Sequence, residues 1–135
     1  MAKFYSILMN REIDPYKEVL ITDGTMHAVD LASRAFINPG DEIIVFEPFY
    51  FSFRNVIRFA RGVMVTVPLR VIPGMSGDYA QHWSFDSKEF ESKVTNKTKM
   101  IMLINPNNPI GKVMTSSELK FKHVHDYFNL GFYLR

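Results

Sequence analysis

The chain has 135 residues, 47% of them apolar, enough for a domain with a real core and too many for a disordered chain. Its net charge is +2, from 16 basic and 14 acidic residues, and the basic residues are scattered, so nothing in the charge pattern points to nucleic acid or a membrane surface. Cysteine is absent, which excludes a disulfide framework and a thiolate metal site. Of four histidines only His123 and His125 are close, and that pair reads as solvated rather than metal-bound. No apolar run approaches the ~18 residues of a membrane span, and the first ten residues are too short and too polar for a signal peptide. The expected compartment is the cytoplasm, with the mitochondrion as the alternative for a full-length product. Asn96-Lys97-Thr98 matches a glycosylation acceptor and reads as a surface turn.

Residues 1–11 carry Phe4, Ile7 and Leu8 at helical spacing, and Ile13-Asp14-Pro15 ends the helix because the residue before proline is pushed out of the helical region. Residues 18–22 read as a first short strand. Asp23-Gly24-Thr25-Met26-His27 is a tight strand-to-helix turn, followed over residues 26–37 by an amphipathic helix with Val29, Ala32, Ala35 and Phe36 on one face. Asn38-Pro39-Gly40-Asp41 is a turn. The Ile-Ile-Val-Phe run within residues 42–47 predicts a strand buried on both faces. After Pro48 the spacing predicts a helix running to Arg61 and stopping at Gly62.

Residues 63–69 read as a strand and residues 70–84 as a loop. Asp86 and Glu89 stand at the N-cap and third position of a helix running to about Val94. Residues 95–99 form a polar turn into the apolar run Met100-Ile101-Met102-Leu103-Ile104, a buried strand. Thr115-Ser116-Ser117-Glu118 is a second capping box, opening a helix to about Phe128 that Gly131 ends before a last strand begins at Phe132. Strands alternate with helices throughout. That predicts an α/β fold of three layers, a mostly parallel sheet covered by helices on both faces.

Three stretches have the composition of binding sites. In Leu103 to Lys112, LINPNNPIGK, two prolines and a glycine stop both helix and strand, and three asparagines offer amide donors and acceptors at the end of a central strand. Open α/β sheets bind ligands there; a proline-stiffened turn without chemistry is the alternative. At Gly24 the free N–H groups of the following helix form an anion site suited to a phosphate, unless Asp23 or Thr25 simply caps the helix. The cluster Phe49-Tyr50-Phe51-Ser52-Phe53 has four aromatics in five residues, more than one core face can take. A ring left at the strand's end suits stacking on a planar ligand, although core filling is the commoner use.

REIDPYKEVLITDGTMHAVDLA, then INPGDEIIVFEPFYFSF, then NKTKMIMLINPNNPIGKVMTSSEL form an ordered series. It closely resembles the pyridoxal-phosphate-dependent aminotransferases of the aspartate aminotransferase fold, class I/II, and most nearly the kynurenine–oxoglutarate transaminases, or cysteine-conjugate β-lyases. The resemblance covers the chain to about Leu119. It implies that Gly24, Thr25 and Met26 hold the phosphate of pyridoxal 5'-phosphate, that Tyr50 stacks on its pyridine ring, and that Asn108 donates to its phenolic oxygen and helps bind the substrate carboxylate. His27 stands where the family usually has a small residue. The resemblance further implies amino-group transfer from an L-amino acid, such as kynurenine or glutamine, to a 2-oxo acid, in a homodimer.

In such enzymes the lysine bonded to the coenzyme, the aspartate at the pyridinium nitrogen and the arginine that clamps the carboxylate lie downstream of the Asn-Pro loop. The chain stops short of them, and Lys112 is not at the matching position. Residues 1–135 are therefore expected to be a fragment, the N-terminal and central part of the large cofactor-binding domain without the small domain, and with no catalytic base. Text after Leu119 fits the family poorly. The alternative function is non-catalytic: binding pyridoxal phosphate or another phosphorylated ligand, or pairing with a full-length subunit. An unrelated nucleotide-binding domain is disfavoured because neither GxGxxG nor GxxxxGK[ST] occurs.

Overall fold

The run Ile43-Ile44-Val45-Phe46 is apolar on both sides of a strand, so it can sit only where both faces and both edges are covered. That is its position in the computed structural model, which describes residues 1–119 and the backbone of residues 132–134. Strand β1 (Glu42–Glu47) pairs in parallel with β2 (Val63–Pro68) on one side and with β5 (Thr98–Ile104) on the other. Strand β6 (Phe132–Leu134) adds to the far edge of β5, again parallel, giving the order β2-β1-β5-β6.

Successive residues of β1 point to opposite faces. Ile43 and Val45 meet Val29 of helix α2 (Thr25–Phe36), Phe53, Val56 and Ile57 of α3 (Ser52–Phe59), and Met100 and Met102 of β5. Ile44 and Phe46 meet Val67, Leu69, Met114 and Phe90 of α4 (Ser87–Lys93) on the other face. This is the α/β layering expected from the alternating pattern. The caps also form. The Asp86 carboxylate accepts from the N–H groups of Lys88 and Glu89 at 2.8 and 3.2 Å. Thr115 and Glu118 cap each other ahead of α5 (Ser116–Leu119): Thr115 N–H donates to the Glu118 carboxylate at 2.8 Å, and Glu118 N–H to Thr115 Oγ1 at 3.2 Å. Glu89 does not return the bond to Asp86; its carboxylate pairs with Arg70 and with Lys93.

Several expectations are corrected. Residues 18–22 form no strand, and Leu20 and Ile21 are 74% and 73% exposed. A strand needs a ladder partner, and this segment pairs with none among the described residues. The helix expected directly after Pro48 begins only at Ser52, leaving Phe49, Tyr50 and Phe51 in the turn, and it ends at Phe59. Its left-handed residue is Arg61, at φ 61°, not Gly62. Gly62 serves a different purpose: a Cβ there would lie 3.1 Å from the Ile37 side chain and 3.3 Å from that of Ile43. The expected loop at 70–84 contains an antiparallel pair, β3 (Arg70–Val71) with β4 (Trp83–Ser84), joined through a 3-10 turn at Ala80–His82.

Helix α1 (Ala2–Met9) forms as expected and stops at a left-handed Asn10, but buries none of its residues. On α2 the expected apolar face is only partly covered. Val29 is buried, whereas Ala35 and Phe36 are exposed and line an open apolar groove of about 500 Å³ with Leu20, Leu31, Met100 and Met102. The helix expected to reach Phe128, its stop at Gly131, and the pair His123 and His125 lie outside the described residues. Among the described residues no helix is long and apolar enough to cross a membrane.

The core makes predictions of both signs. Ile43→Ala, which empties a fully buried position in the central strand, should lower unfolding stability by about 2–5 kcal/mol. Ser33→Ala should raise it by about 1 kcal/mol, because the buried Ser33 hydroxyl has no partner among the described residues. Urea titration followed by circular dichroism reads both changes.

Candidate cofactor-binding site

Strands β1 and β5 are parallel neighbours, so the segments leaving them, Pro48 to Phe51 and Asn105 to Gly111, emerge at the same carboxyl edge of the sheet. Helix α2 feeds β1 through the turn at 37–41 and so runs back along the sheet. Its 12 residues span about 18 Å. The six residues of β1 span about 20 Å, so the start of the helix reaches the same edge. Met26, Phe49, Tyr50 and Ile104 all pack against the hydrophobic cluster that covers this face of the sheet, as Met64 does at its other end. The three sequence stretches singled out as binding candidates thus converge on one end of the molecule.

At the first of them, Gly24 is the N-cap of α2, with φ 105° and no side-chain cap. Such a φ is accessible to glycine at little cost. Neither Asp23 nor Thr25 caps the helix, and the N–H groups of Thr25, Met26 and His27 meet no acceptor among the described residues. Its two chain neighbours aside, no atom of the described residues lies within 4 Å of the Cβ position that Gly24 lacks, so an anion can approach. The His27 ring accepts instead from the Asp23 N–H, at 3.4 Å, upstream of the three free amides. An uncapped helix start with open space before it fits a phosphate.

The aromatic cluster divides by depth. Phe53 is core and Phe51 is 71% exposed, while Phe49 and Tyr50 are half-buried at the edge. Phe53 meets Tyr50 edge-to-face, with centroids 5.9 Å apart, and Phe51 leans on it at 4.8 Å. The Arg54 guanidinium lies 5.9 Å above the Phe49 ring. Tyr50 is thereby propped on its protein side, as a stacking ring must be.

The three asparagines of the loop differ in their bonds. Asn105 Oδ1 accepts from the Met114 N–H at 2.9 Å. Asn107 is buried, with Oδ1 accepting from the Ile110 N–H at 3.2 Å and Nδ2 donating to the Pro48 carbonyl at 3.1 Å. Asn108 is exposed, and its side-chain amide makes no hydrogen bond among the described residues. Two asparagines build the loop, and the third has a side chain open to solvent. Composition alone did not separate them, because it cannot tell a buried amide from an exposed one; only the family resemblance singled out Asn108.

Behind the loop, the Lys112 ammonium lies 3.1 Å from the Glu118 carboxylate, with side chains only 3% and 14% exposed. Lys112 is engaged in this pair. Glu118 also accepts from Ser84 Oγ at 2.7 Å. Burial pushes the Glu118 carboxyl up, but hydrogen bonds from Ser84, Thr115 and Lys112 outweigh it and hold the group below its ordinary 4.5. The bonds from Arg70 and Lys93 hold Glu89 down to about 2.

Residues 1–121 match the aminotransferase class I and II family. The chain belongs to that family. That family is pyridoxal-phosphate-dependent. Kynurenine–oxoglutarate transaminase 3 of Mus musculus is 40% identical over 122 residues, covering 89% of this chain and 27% of its own length. The structure of Bna3p from Saccharomyces cerevisiae superposes with a TM-score of 0.82 at 34% identity, over 88% of this chain and 28% of that one. A PLP-bound structure from Clostridium difficile matches with a TM-score of 0.67 at 25% identity, over 78% of this chain and 26% of that one. The chain spans 27–29% of the length of the curated kynurenine–oxoglutarate transaminases it matches.

The support behind the loop predicts a pH dependence. Glu89 and Glu118 have folded pKa values below the ordinary 4.5, so their contribution to stability is full above that pH. It is lost as pH falls through the lowered values, down to about 2 for Glu89. Melting temperature should hold between neutrality and about pH 5 and fall below that. Lys112→Met should cost up to about 3 kcal/mol, the low end for breaking a pair that is not fully buried. It should also shrink Glu118's share of the acid loss, because without Lys112 its folded pKa rises back toward the ordinary 4.5. Thermal melts from pH 3 to pH 7 check both.

Proposed function

We propose that this chain forms the cofactor-gripping part of a transaminase that moves an amino group from an L-amino acid, such as kynurenine or glutamine, to a 2-oxo acid. The supporting observation is the shared edge: the uncapped start of α2, the propped Tyr50 ring and the unpartnered Asn108 amide stand at the carboxyl ends of adjacent strands. Gly24 turns the chain so that the amides of Thr25, Met26 and His27 take the charge of the coenzyme's phosphate. Tyr50 offers its face to the flat, cationic pyridine ring. Asn108 donates its amide to the phenolic oxygen, which favours the anionic form, and with a substrate present helps to orient the α-carboxylate. When bound, the coenzyme supplies an electron sink for negative charge at the amino acid's α-carbon. Here the protein's part is placement; we assign no residue of this chain to covalent bonding or proton transfer. The full-length protein is read as a homodimer.

A second reading, a non-catalytic chain that pairs with a full-length subunit, draws on the open groove beside α2 and the exposed Ile7, Leu8, Leu20 and Ile21. Incubation with pyridoxal phosphate, followed by borohydride and mass spectrometry, tests the first. Uptake should be reversible and leave no reduced lysine adduct. Asn108→Ala or Tyr50→Ala should each weaken it by about three- to tenfold, the worth of one hydrogen bond or one aromatic contact. An adduct at a single lysine contradicts the absence of a covalent role, and a chain that takes up no coenzyme contradicts the cofactor site itself.

A further inference from the structure

Asn107 is 4% exposed and every backbone and side-chain group of it capable of hydrogen bonding is used. Its N–H donates to the Lys112 carbonyl and its own carbonyl accepts from the Gly111 N–H, both at 2.7 Å. Its Oδ1 accepts from Ile110 within the loop, while its Nδ2 reaches across to Pro48, 59 residues away in sequence. The sheet ladder cannot join these two turns, because β1 ends at Glu47 and β5 at Ile104. Among the described residues, the Asn107–Pro48 bond is the only hydrogen bond between residues 48–51 and residues 105–111. Pro48 stands two residues before Tyr50, and Asn107 one residue before Asn108.

We propose that Asn107 is a positioning residue that fixes the distance between the Tyr50 ring and the Asn108 amide, so that a planar ligand's face and its phenolic oxygen are held by one rigid slot. The proposal rests on the cofactor reading above. A bond confined to its own loop would only stiffen that loop. This one ties the loop to the neighbouring strand's turn, and removing it frees the two grips to move independently.

Asn107→Asp separates the two bonds of the side chain. It keeps the oxygen that accepts from Ile110 and sets another oxygen against the Pro48 carbonyl. Asn107→Ala, which removes both bonds without burying a charge, serves where the aspartate variant fails to fold by thermal melt. In the chain without ligand, hydrogen exchange should accelerate together in residues 48–54 and 105–114 of either variant. Pyridoxal phosphate should bind about tenfold more weakly to the Asn107 variant than to the wild type, as for loss of one buried hydrogen bond. With Asn108→Ala already present the same change should be within about twofold, the mark of a residue acting through its neighbour. The 3-hydroxyl of bound pyridoxamine phosphate should ionise at higher pH in the variant.

Exchange that accelerates in 105–114 while 48–54 is unmoved overturns the clamp. Equal affinity of wild type and variant overturns the positioning role and leaves the cofactor reading standing. A wild-type chain that binds neither coenzyme form overturns that reading and the positioning role with it.

Discussion

Strand β1 has no free side. It is covered by helices above and below and flanked by parallel strands left and right, and its middle four residues are all buried. Parallel neighbours force each connection to cross over the sheet. The parallel strands of this sheet then all discharge at one edge. Tyr50 and Asn108 follow β1 and β5 directly at that edge, and Gly24 opens the helix that runs back along the sheet into β1, so it is the topology that sets where the three stand. Nothing in their local sequences could do so, since they are spread over 85 residues of chain.

The edge is built in two tiers. Groups nearest the sheet are satisfied by protein: Asn105 and Asn107 within and between turns, Phe53 under Tyr50, Lys112 against Glu118. Groups farther out are left unsatisfied: the amides at the start of α2 and the side chain of Asn108. Leaving polar groups open is inexpensive at a surface and costly in a core, so the division follows the gradient of burial. A ligand entering the edge finds backbone donors held by the helix and the Asn108 amide, none with a partner among the described residues, the condition for binding with little reorganisation.

Much of the fold was legible because its signals are local. The four-residue apolar run of β1, the Asp86 cap and the Thr115–Glu118 box need no knowledge of neighbours, and each appears where the sequence puts it. The misreadings are non-local. Residues 18–22 have a strand's composition, yet a strand exists only with a partner. Phe49 to Phe51 have helix-compatible composition, yet the turn out of β1 holds them. The β3–β4 pair joins two-residue pieces too short to carry a period. At the site, residue types and spacing pointed to the glycine turn, the aromatic and the asparagines. Which asparagine is buried and bridges to Pro48 depends on a contact 59 residues distant, beyond what spacing encodes.

The central claim is that the first turn of α2, the Tyr50 ring and the Asn108 amide face one bound molecule. Titrating the isotopically labelled chain with pyridoxamine phosphate, while following the amide signals of Thr25, Met26 and His27, the Tyr50 ring signals and the Asn108 side-chain signals by NMR, tests it most directly. The account predicts that all three groups shift together along one binding curve with a single dissociation constant. Shifts confined to one group, or following separate curves, would contradict it.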